Sequence, residues 1–222
     1  MDFYAKIWRM STREVLERFK TAGLDALSGG GAEILSEDVR RIITPYKFNA
    51  EAWLRISHEA HELGLRSNAT MMYGHVEEPH HIIDHLFSIR RLQEETNGIL
   101  LFIPIKFVPW NTKLYRDGLV KGPASAELDV KVTAMSRIVL GGTIKRIGAY
   151  WTSVGKRLAS TLLLAGANDL VGTMINEQVL RQAGSSEPLR PTTVAELAHI
   201  VREVGRRPMV RDTFHTRLIE VN

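Results

Sequence analysis

The hydrophobic and polar positions of this chain alternate between two spacings, one typical of helices and one typical of buried strands. Apolar residues three and four apart predict helices, and short apolar runs predict strands. Capping residues at Ser11, Asn49 and Thr193 mark three helix starts. Further helices are predicted from Pro79, near 126–140 and near 153–165. The predicted strands are LDAL (24–27), RSNATMMY (66–73), ILLFIPIKF (99–107) and IGAYW (147–151).

Strand and helix therefore alternate about four times, which predicts a parallel sheet covered by helices. A (β/α) barrel is built in this way, but its eight units normally need more chain than 222 residues. The expected fold is α/β, either part of a (β/α) barrel or an open parallel sheet. The chain shows no internal repeat, low-complexity tract or long linker, so residues 1–222 are expected to form a single domain.

Composition narrows the class of protein. Hydrophobic residues make up 44% of the chain and charged residues 24%, as in ordinary soluble globular proteins. The most apolar stretch is interrupted by Lys106 and by prolines, so no membrane helix is predicted, and the N-terminus lacks the pattern of a secretion signal. The chain contains no cysteine, which excludes disulfides and thiolate metal sites within it. A cytoplasmic location is the expectation.

The net charge of +4 is unevenly distributed. Residues 116–222 carry 15 Lys and Arg against 10 Asp and Glu. A basic half of this kind suits nucleic acid or an anionic ligand. The charges are scattered over several predicted helices with few aromatics between them, unlike a single-strand binding surface, so no nucleic-acid partner is expected.

Polar residues follow the predicted strands, where ligands bind in parallel α/β folds. SGGGAEI comes after the first strand, and the free amides of Gly29, Gly30 and Gly31 beside Glu33 could form a close pocket for a ligand's polar groups. The alternative is a flexible turn with a solvated glutamate. Spacing alone leaves both open.

Two more stretches past strand ends carry candidate residues. The second strand is followed by Tyr73, His75 and Glu77. These residues have a catalytic or ligand-orienting role, or, as the alternative, they only pack locally. Asn168 and Asp169 in GANDL form either an Asx turn or contacts to polar groups of a ligand.

Two histidine pairs at helical spacing, His58 with His61 and His81 with His85, raise the question of a metal site. Both pairs lie off the apolar faces of their predicted helices. No acid is placed as in a zinc protease. We therefore expect solvated helix flanks at these histidines and no metal ligand among them.

Seven stretches, taken in order, resemble one enzyme family over almost the whole chain: GLDALSGGGAEIL, GLRSNATMMYGHVE, RRLQEETNG, FVPWNT, AYW, GANDLVGT and GRRPMVRDTF. Together they resemble the radical S-adenosylmethionine enzymes that include aminofutalosine synthase, dehypoxanthine futalosine cyclase and the tyrosine-using subunit of deazaflavin synthase. SNATMMYGH and IGAYW look most like aminofutalosine synthase, whereas GANDL looks more like the other two.

The resemblance implies a (β/α) barrel in which a 4Fe–4S cluster cleaves S-adenosylmethionine to a deoxyadenosyl radical. In aminofutalosine synthase, an enzyme of menaquinone biosynthesis, that radical adds to an enolpyruvyl-benzoate substrate. The residues that correspond fall into three groups. They are Gly29, Gly30, Gly31, Glu33 and Tyr73 for the cofactor, His75 and Glu77 for catalysis, and Asn111, Asn168 and Asp169 for a small-molecule substrate.

One departure from the family is large. Its cluster is held by a CxxxCxxC motif after the first barrel strand, and this chain has no cysteine. Met1 falls where the third barrel strand of the family ends. We therefore expect the C-terminal portion of a barrel. It is a fragment of a longer gene product, or one half of a split enzyme completed by a second polypeptide that supplies the cluster, or a non-catalytic remnant or scaffold protein that kept the loops.

Overall fold

The computed structural model describes residues 1–185 and 191–221. Its elements, in chain order, are α1 (Asp2–Trp8), α2 (Thr12–Thr21), β1 (Ala26–Leu27), α3 (Glu37–Ile43), α4 (Ala50–Glu62), β2 (Arg66–Tyr73), α5 (Pro79–Thr96), β3 (Ile99–Lys106), α6 (Lys113–Arg116), α7 (Ala126–Leu140), α8 (Trp151–Val154), α9 (Lys156–Leu164), α10 (Val179–Gln182), α11 (Val194–Glu203), β4 (Met209–Arg211) and β5 (Leu218–Glu220). Within the described residues, no helix is both long and apolar enough to cross a bilayer.

The predicted helix starts are confirmed where local side chains cap the helix. Ser11 and Thr193 each form a complete capping box, and the Asn49 side chain accepts a hydrogen bond from the Ala52 amide. Pro79 is the first residue of α5. The sequence prediction did not include α1, α3, the short helices α6 and α10, or the antiparallel pair β4–β5.

Three parallel strands, in the order β1-β2-β3, form the main sheet. Ala26 pairs with Arg66, and the longer β2–β3 ladder ends where Tyr73 pairs with Lys106. Beyond β3, single parallel bridges connect Phe102 to Ile147 and Gly148 to Asp169. The structure is thus a parallel α/β arrangement of the kind expected, with only two residues of the predicted first strand paired.

The predicted strand at 147–151 is wrong, and Pro104 gives the reason. Phe102 both donates to the Arg146 carbonyl at 3.1 Å and accepts from the Gly148 amide at 2.8 Å. The next rung on this side would need an amide hydrogen at position 104, which proline lacks. Pairing therefore stops after one bridge, and Trp151 already opens α8.

The predicted helix near 153–165 is also two helices rather than one. Gly155 separates α8 from α9, with a φ of 84° that a non-glycine residue seldom adopts. The sequence prediction read past this glycine because the apolar spacing continues on both sides of it.

The strand β3 is buried on both faces in its middle. Its consecutive residues from Leu101 to Pro104 are all buried, as the unbroken apolar run predicted. Along β2, by contrast, Ala69, Met71 and Tyr73 are buried in the same apolar cluster as residues of α4, α5 and α7, so these helices cover that face.

Two histidines expected on solvated helix flanks, His61 and His85, are buried instead. Both ring nitrogens of His61 are engaged, Nδ1 with Thr96 Oγ1 at 2.7 Å and Nε2 with Ser67 Oγ at 2.8 Å. The Nδ1 of His85 accepts from the Leu35 amide at 3.1 Å. The prediction was wrong because it took the apolar face of each helix as its only packed face. Both α4 and α5 pack against neighbouring helices as well as against the sheet, and the histidines lie on these additional contacts.

A buried polar group holds α7 on the sheet. The carboxylate of Asp129, which is completely buried, accepts from the Tyr73 hydroxyl at 2.8 Å and from Lys106 Nζ at 2.7 Å. Burial, together with the nearby Asp129 charge, raises the pKa of Tyr73 far above its usual range, so the phenol stays a neutral donor. Tyr73 and Lys106 end neighbouring strands, so one carboxylate fastens both strands to the first turn of α7.

Acid is expected to destabilise the fold through His61 and His85. Burial lowers the pKa of His61 to about 4 and that of His85 to about 3, against 6.5 in the unfolded chain. Between pH 6.5 and pH 4 the unfolded state therefore binds more protons, and the free energy of unfolding falls as pH falls, by about 2 kcal/mol or more. Urea unfolding at a series of pH values measures this. His61→Gln should make the dependence shallower, and the exposed His199→Gln should not; equal slopes in all three proteins would contradict the assignment.

Replacing Asp129 should cost far more stability than replacing a neighbouring exposed acid. Asp129→Ala leaves the Lys106 ammonium buried without its partner and is expected to lower the free energy of unfolding by about 3 kcal/mol. Glu127→Ala, on the same turn of α7, removes only the exposed pair with Lys131 and should change it by less than about 0.5 kcal/mol. Urea unfolding followed by circular dichroism compares the two. Equal decreases in the free energy of unfolding for the two variants would show that the buried Asp129 contacts do not stabilise the fold.

Candidate functional site

The carboxyl ends of the parallel segments lie along one edge of the sheet. Leu27, Tyr73 and Lys106 end β1, β2 and β3, and the bridged residues Gly148 and Asp169 continue the series in the same direction. We call this the carboxyl edge. Ligands of parallel α/β proteins bind at such an edge, because the loops that follow the strands converge there.

The loop from Gly29 to Ile34, here called the glycine loop, follows β1 at the carboxyl edge. Every main-chain carbonyl in it has a hydrogen-bond donor. These donors are Thr70 Oγ1 for Gly29, Trp53 Nε1 for Gly30, the Arg40 guanidinium for Gly31, Ala32 and Ile34, and the Met72 amide for Glu33. Among the described residues, no acceptor lies within hydrogen-bond reach of any amide from Gly29 to Ile34. The loop therefore turns its acceptors inward. Ala32 and Ile34 are completely buried, so the amides within reach of solvent or a ligand are those of Gly29, Gly30, Gly31 and Glu33.

Arg40 of α3 is the donor to three of the six carbonyls of the glycine loop. Its guanidinium is 3% exposed and contacts the carbonyls of Ala32, of Gly31 and Ile34 at 3.5 Å each, and of Phe48 at 2.5 Å. Burial lowers the pKa of Arg40 from its usual value, and Glu37 nearby opposes that shift. The sequence prediction missed Arg40, because an arginine in a charged helix carries no local sign that it is buried.

The three glycines have different reasons to be glycine. Gly29 has a φ of 75°, and a Cβ there would lie 1.8 Å from the Asn68 carbonyl oxygen of β2. The close approach at Gly29 is therefore that of the neighbouring strand. Gly31 also has a positive φ, of 89°, whereas at Gly30 a side chain would meet only Ser28 Oγ at 3.9 Å.

Glu33 adopts the left-handed conformation, with a φ of 49°, although it is not a glycine. Its carbonyl accepts from the Met72 amide at 2.6 Å, which extends the β1–β2 pairing past the loop. Its carboxylate pairs with Lys47 Nζ at 2.5 Å and remains 19% exposed. The site thus has one partly accessible carboxylate beside a row of free amides.

His75 and Glu77 follow β2 and contact each other. His75 Nδ1 lies 2.8 Å from the Glu77 carboxylate, and its Nε2 lies 3.1 Å from the Met72 carbonyl. The same carboxylate accepts from the Gly74 and His75 amides. These bonds, chiefly the one with His75, lower the pKa of Glu77 against the opposing effect of burial. Both side chains are almost completely buried, so in this structure they shape the loop between β2 and α5.

Tyr73 does not join these residues at the glycine loop. It lies on the helix-covered face of β2, where its hydroxyl donates to Asp129. Side chains alternate between the two faces of a strand, and Met71 and Tyr73 share the helix-covered face of β2. Thr70, one of the donors to the glycine loop, therefore lies on the opposite face.

The three predicted substrate residues are engaged by other parts of the chain. Asn168 bonds the main chain of Lys145 and Ile147 through its side-chain amide. Asp169 receives Arg211 through Nε at 2.5 Å and Nη2 at 3.2 Å, and it accepts from the Val171 amide in an Asx turn. Asn111 donates to the Gln182 carbonyl at 2.9 Å. Asn168 and Asp169 are adjacent, and Asn111 contacts a different segment.

Within the described ranges 1–185 and 191–221, no group of three or more His, Asp or Glu side chains is arranged to hold a metal ion. The residues brought together at the site are those of the glycine loop, its supports Arg40, Trp53 and Thr70, and Lys47. What the arrangement offers chemically is a set of main-chain donors and one carboxylate, suited to binding a polar ligand.

Comparisons with known proteins agree with the resemblance read from the sequence. Residues 96–220 match the family described as CofH/MqnC C-terminal region. Two relatives are named 5-amino-6-(D-ribitylamino)uracil–L-tyrosine 4-hydroxyphenyl transferase. The protein of Methanothermobacter thermautotrophicus is 38% identical over 96% of this chain and 58% of its own length. That of Methanocaldococcus jannaschii is 40% identical over 93% and 57%.

A third relative carries a different name. The aminodeoxyfutalosine synthase of Thermus thermophilus is 42% identical over 96% of this chain and 56% of its own length. The chain therefore spans a little over half the length of these curated relatives. The family match covers more than half of the chain, and it includes the stretches from FVPWNT to GRRPMVRDTF that carry part of the resemblance. The chain belongs to the CofH/MqnC C-terminal family.

Proposed function

We propose that this chain is the S-adenosylmethionine-binding and substrate-facing part of a radical S-adenosylmethionine enzyme. The observation that carries the proposal is the glycine loop, whose carbonyls all have donors while its amides have no acceptor among the described residues. S-adenosylmethionine presents carboxylate and hydroxyl oxygens that such amides can bind. The loop also lies where ligands bind in parallel α/β folds.

Glu33 complements these donors. The cofactor carries an ammonium group and ribose hydroxyls, which need an acceptor, and the Glu33 carboxylate is the acceptor nearest to the free amides in sequence. Lys47 now holds that carboxylate at 2.5 Å. Binding would exchange Lys47 for the cofactor's donors or share the carboxylate between them.

The residues of this chain do not fit the iron–sulfur cluster that the family resemblance implies. Such clusters are held by cysteine thiolates, and the sequence contains no cysteine. We therefore propose that the cluster and the remaining strands come from sequence outside this chain, either the rest of a longer polypeptide or a second one. Until both are present, this chain can bind and orient but cannot start radical chemistry.

The first candidate reaction is that of the aminodeoxyfutalosine synthases, in which a deoxyadenosyl group is added to an enolpyruvyl-benzoate substrate. The 42% identity to the Thermus thermophilus protein supports it. The second candidate is the transfer named in the tyrosine 4-hydroxyphenyl transferases, whose 38% and 40% identities over nearly all of the chain support it to a similar degree. In both, the protein positions a small aromatic substrate and excludes water, because the cofactor carries the radical chemistry.

Under this proposal His75 and Glu77 act by fixing the loop at the carboxyl edge. Both are buried and bonded to each other and to local main chain, so neither presents a free proton donor or acceptor. Asn168 and Asp169 position the last bridged segment in the same way, and Asn111 positions the loop after β3.

Calorimetric titration with S-adenosylmethionine tests the cofactor site. The unmodified chain should bind it, and Glu33→Ala should raise Kd about tenfold or more, because a hydrogen bond to a charged group contributes roughly 1.5–3 kcal/mol. Glu51→Ala, an exposed acid in the first turn of α4, is the matched control and should leave Kd unchanged. No heat of binding with the unmodified chain, or an equal increase in Kd for the two variants, would contradict the proposed cofactor site.

Anaerobic incubation with ferrous iron and sulfide tests whether the cluster ligands lie outside this chain. We expect the isolated chain to acquire no 4Fe–4S absorption band, because it offers no thiolate ligand. Iron content is measured after desalting. Stoichiometric iron with the cluster's spectrum would show that no cluster ligand from outside this chain is needed.

A further inference from the structure

The face of the main sheet that lies opposite its helices is here called the inner face. Thr70 of β2 lies on it and supports the glycine loop. The register pairs Thr70 with Ile103 and Met72 with Ile105, so these four side chains share the inner face. Thr70 and Ile103 are buried, whereas Met72 and Ile105, nearer the carboxyl edge, are half-buried. The inner face is thus more open towards the edge where the glycine loop lies.

The next segment along the sheet extends this face beyond β3. Ile147 and Ala149 pack in the clusters on the helix side, so Gly148 and Tyr150 face the other way. A Cβ on Gly148 would lie 3.5 Å from Ile103 Cγ2, in agreement with that direction. Tyr150, one step nearer the carboxyl edge, is half-buried. The inner face therefore has an apolar floor with a phenol beside it.

Three polar groups meet at Tyr150 without bonding one another. Burial raises the pKa of its phenol, the Thr152 hydroxyl nearby opposes that shift, and the Glu177 carboxylate nearby adds to it. Neither group is in hydrogen-bond geometry with the phenol, and Thr152 Oγ1 is buried without a partner among the described residues. Buried hydroxyls are normally paired. An unpaired one beside a half-buried phenol indicates a place for a ligand's polar group.

Glu177 is held in place by main chain at the start of α10. Its Oε1 accepts from the Val179 amide at 2.8 Å and from the Leu180 amide at 3.0 Å. Its Oε2 has no hydrogen-bond partner among the described residues. A carboxylate accepts hydrogen bonds and repels anions, and a neutral phenol can accept as well as donate. Together Tyr150 and Glu177 therefore suit a hydroxyl or amino group and disfavour a carboxylate.

We propose that Tyr150 and Glu177 position the ring substrate of this site. The ring lies on Met72 and Ile105, and a hydroxyl or amino group of the substrate donates to the pair. The inference rests on the proposed function, which places the substrate inside a (β/α) barrel. The inner face lines the interior of such a barrel, so strands supplied from outside this chain would not cover it. The three substrate residues predicted from the sequence, by contrast, are bonded to other parts of the chain.

Three fluorescent probes with the same naphthalene ring test the proposal on the isolated chain. 2-Naphthol carries a hydroxyl donor, 2-methoxynaphthalene has no donor, and 2-naphthoate is an anion. We expect naphthol to bind most tightly and naphthoate most weakly. Tyr150→Phe should raise Kd for naphthol about fivefold, which corresponds to about 1 kcal/mol and so to one neutral hydrogen bond. Kd for methoxynaphthalene should stay within about twofold, because the apolar floor is untouched.

Three further variants locate the ring and the charge. Glu177→Gln should weaken naphthol binding and strengthen naphthoate binding about twofold or more, because it removes the repelling carboxylate. Met72→Ala should weaken the binding of all three probes by a similar factor, because the ring loses apolar contact. Tyr115→Phe, which removes an exposed phenol on α6, is the matched control and should change none of the affinities.

The outcome is independent of the cofactor site, because the probes need neither S-adenosylmethionine nor a cluster. Tyr150→Phe should leave Kd for S-adenosylmethionine unchanged, so a failure of either site can be recognised separately. No binding of naphthol, an equal increase in Kd for naphthol and methoxynaphthalene in Tyr150→Phe, or tightest binding of naphthoate by the unmodified chain would overturn the proposal.

Discussion

The buried guanidinium of Arg40 is the contact on which the candidate cofactor site depends. A cation removed from water is costly unless dipoles or charges compensate it, and here four main-chain carbonyls do so. Three of those carbonyls belong to the glycine loop. Arg40 thus holds half of the loop's carbonyls on the protein side, and the Leu35 amide that follows Ile34 is held there as well, by His85 Nδ1. One side chain thereby fixes the path of the loop around itself.

The same principle recurs in the helix layer. His61 and Asp129 are polar groups enclosed among apolar residues, and each connects two or more elements through short hydrogen bonds. In a low-dielectric interior these contacts are strong when complete and expensive when broken. They specify how α4 and α7 lie on the sheet more narrowly than the non-directional packing of leucine and isoleucine could.

Much of the secondary structure was predictable because its signals are local. The caps at Ser11, Asn49 and Thr193 and the long apolar runs of β2 and β3 are read from residues within a few positions of one another. The strand predicted at 147–151 failed because its length is decided by Pro104, more than forty residues earlier in the chain. No local pattern contains that information.

The candidate site was predictable only in part, for the same reason. The glycine run and Glu33 were visible in the sequence, but Arg40, Trp53 and Thr70 support that loop from three other elements. Side chains such as Asn168 and Asp169 were correctly placed past a strand end, yet their bonds go to partners that only the fold brings near. Residue type indicated polarity, and tertiary contact decided what each group binds.

Pro104 also has a consequence for the shape of the sheet. Because it interrupts the ladder near the carboxyl edge, the Gly148 carbonyl receives no amide from β3, and the Asx turn at Asp169 takes the Val171 amide out of the next ladder at a similar level. β2 and β3 stay paired as far as Tyr73 and Lys106, whereas among the described residues no main-chain hydrogen bond connects β3 to the segment that follows Gly148. That segment is therefore free to diverge from the sheet at the carboxyl edge. A proline and an aspartate, neither of which need touch a ligand, would in this way determine how much room a ligand finds between the strands.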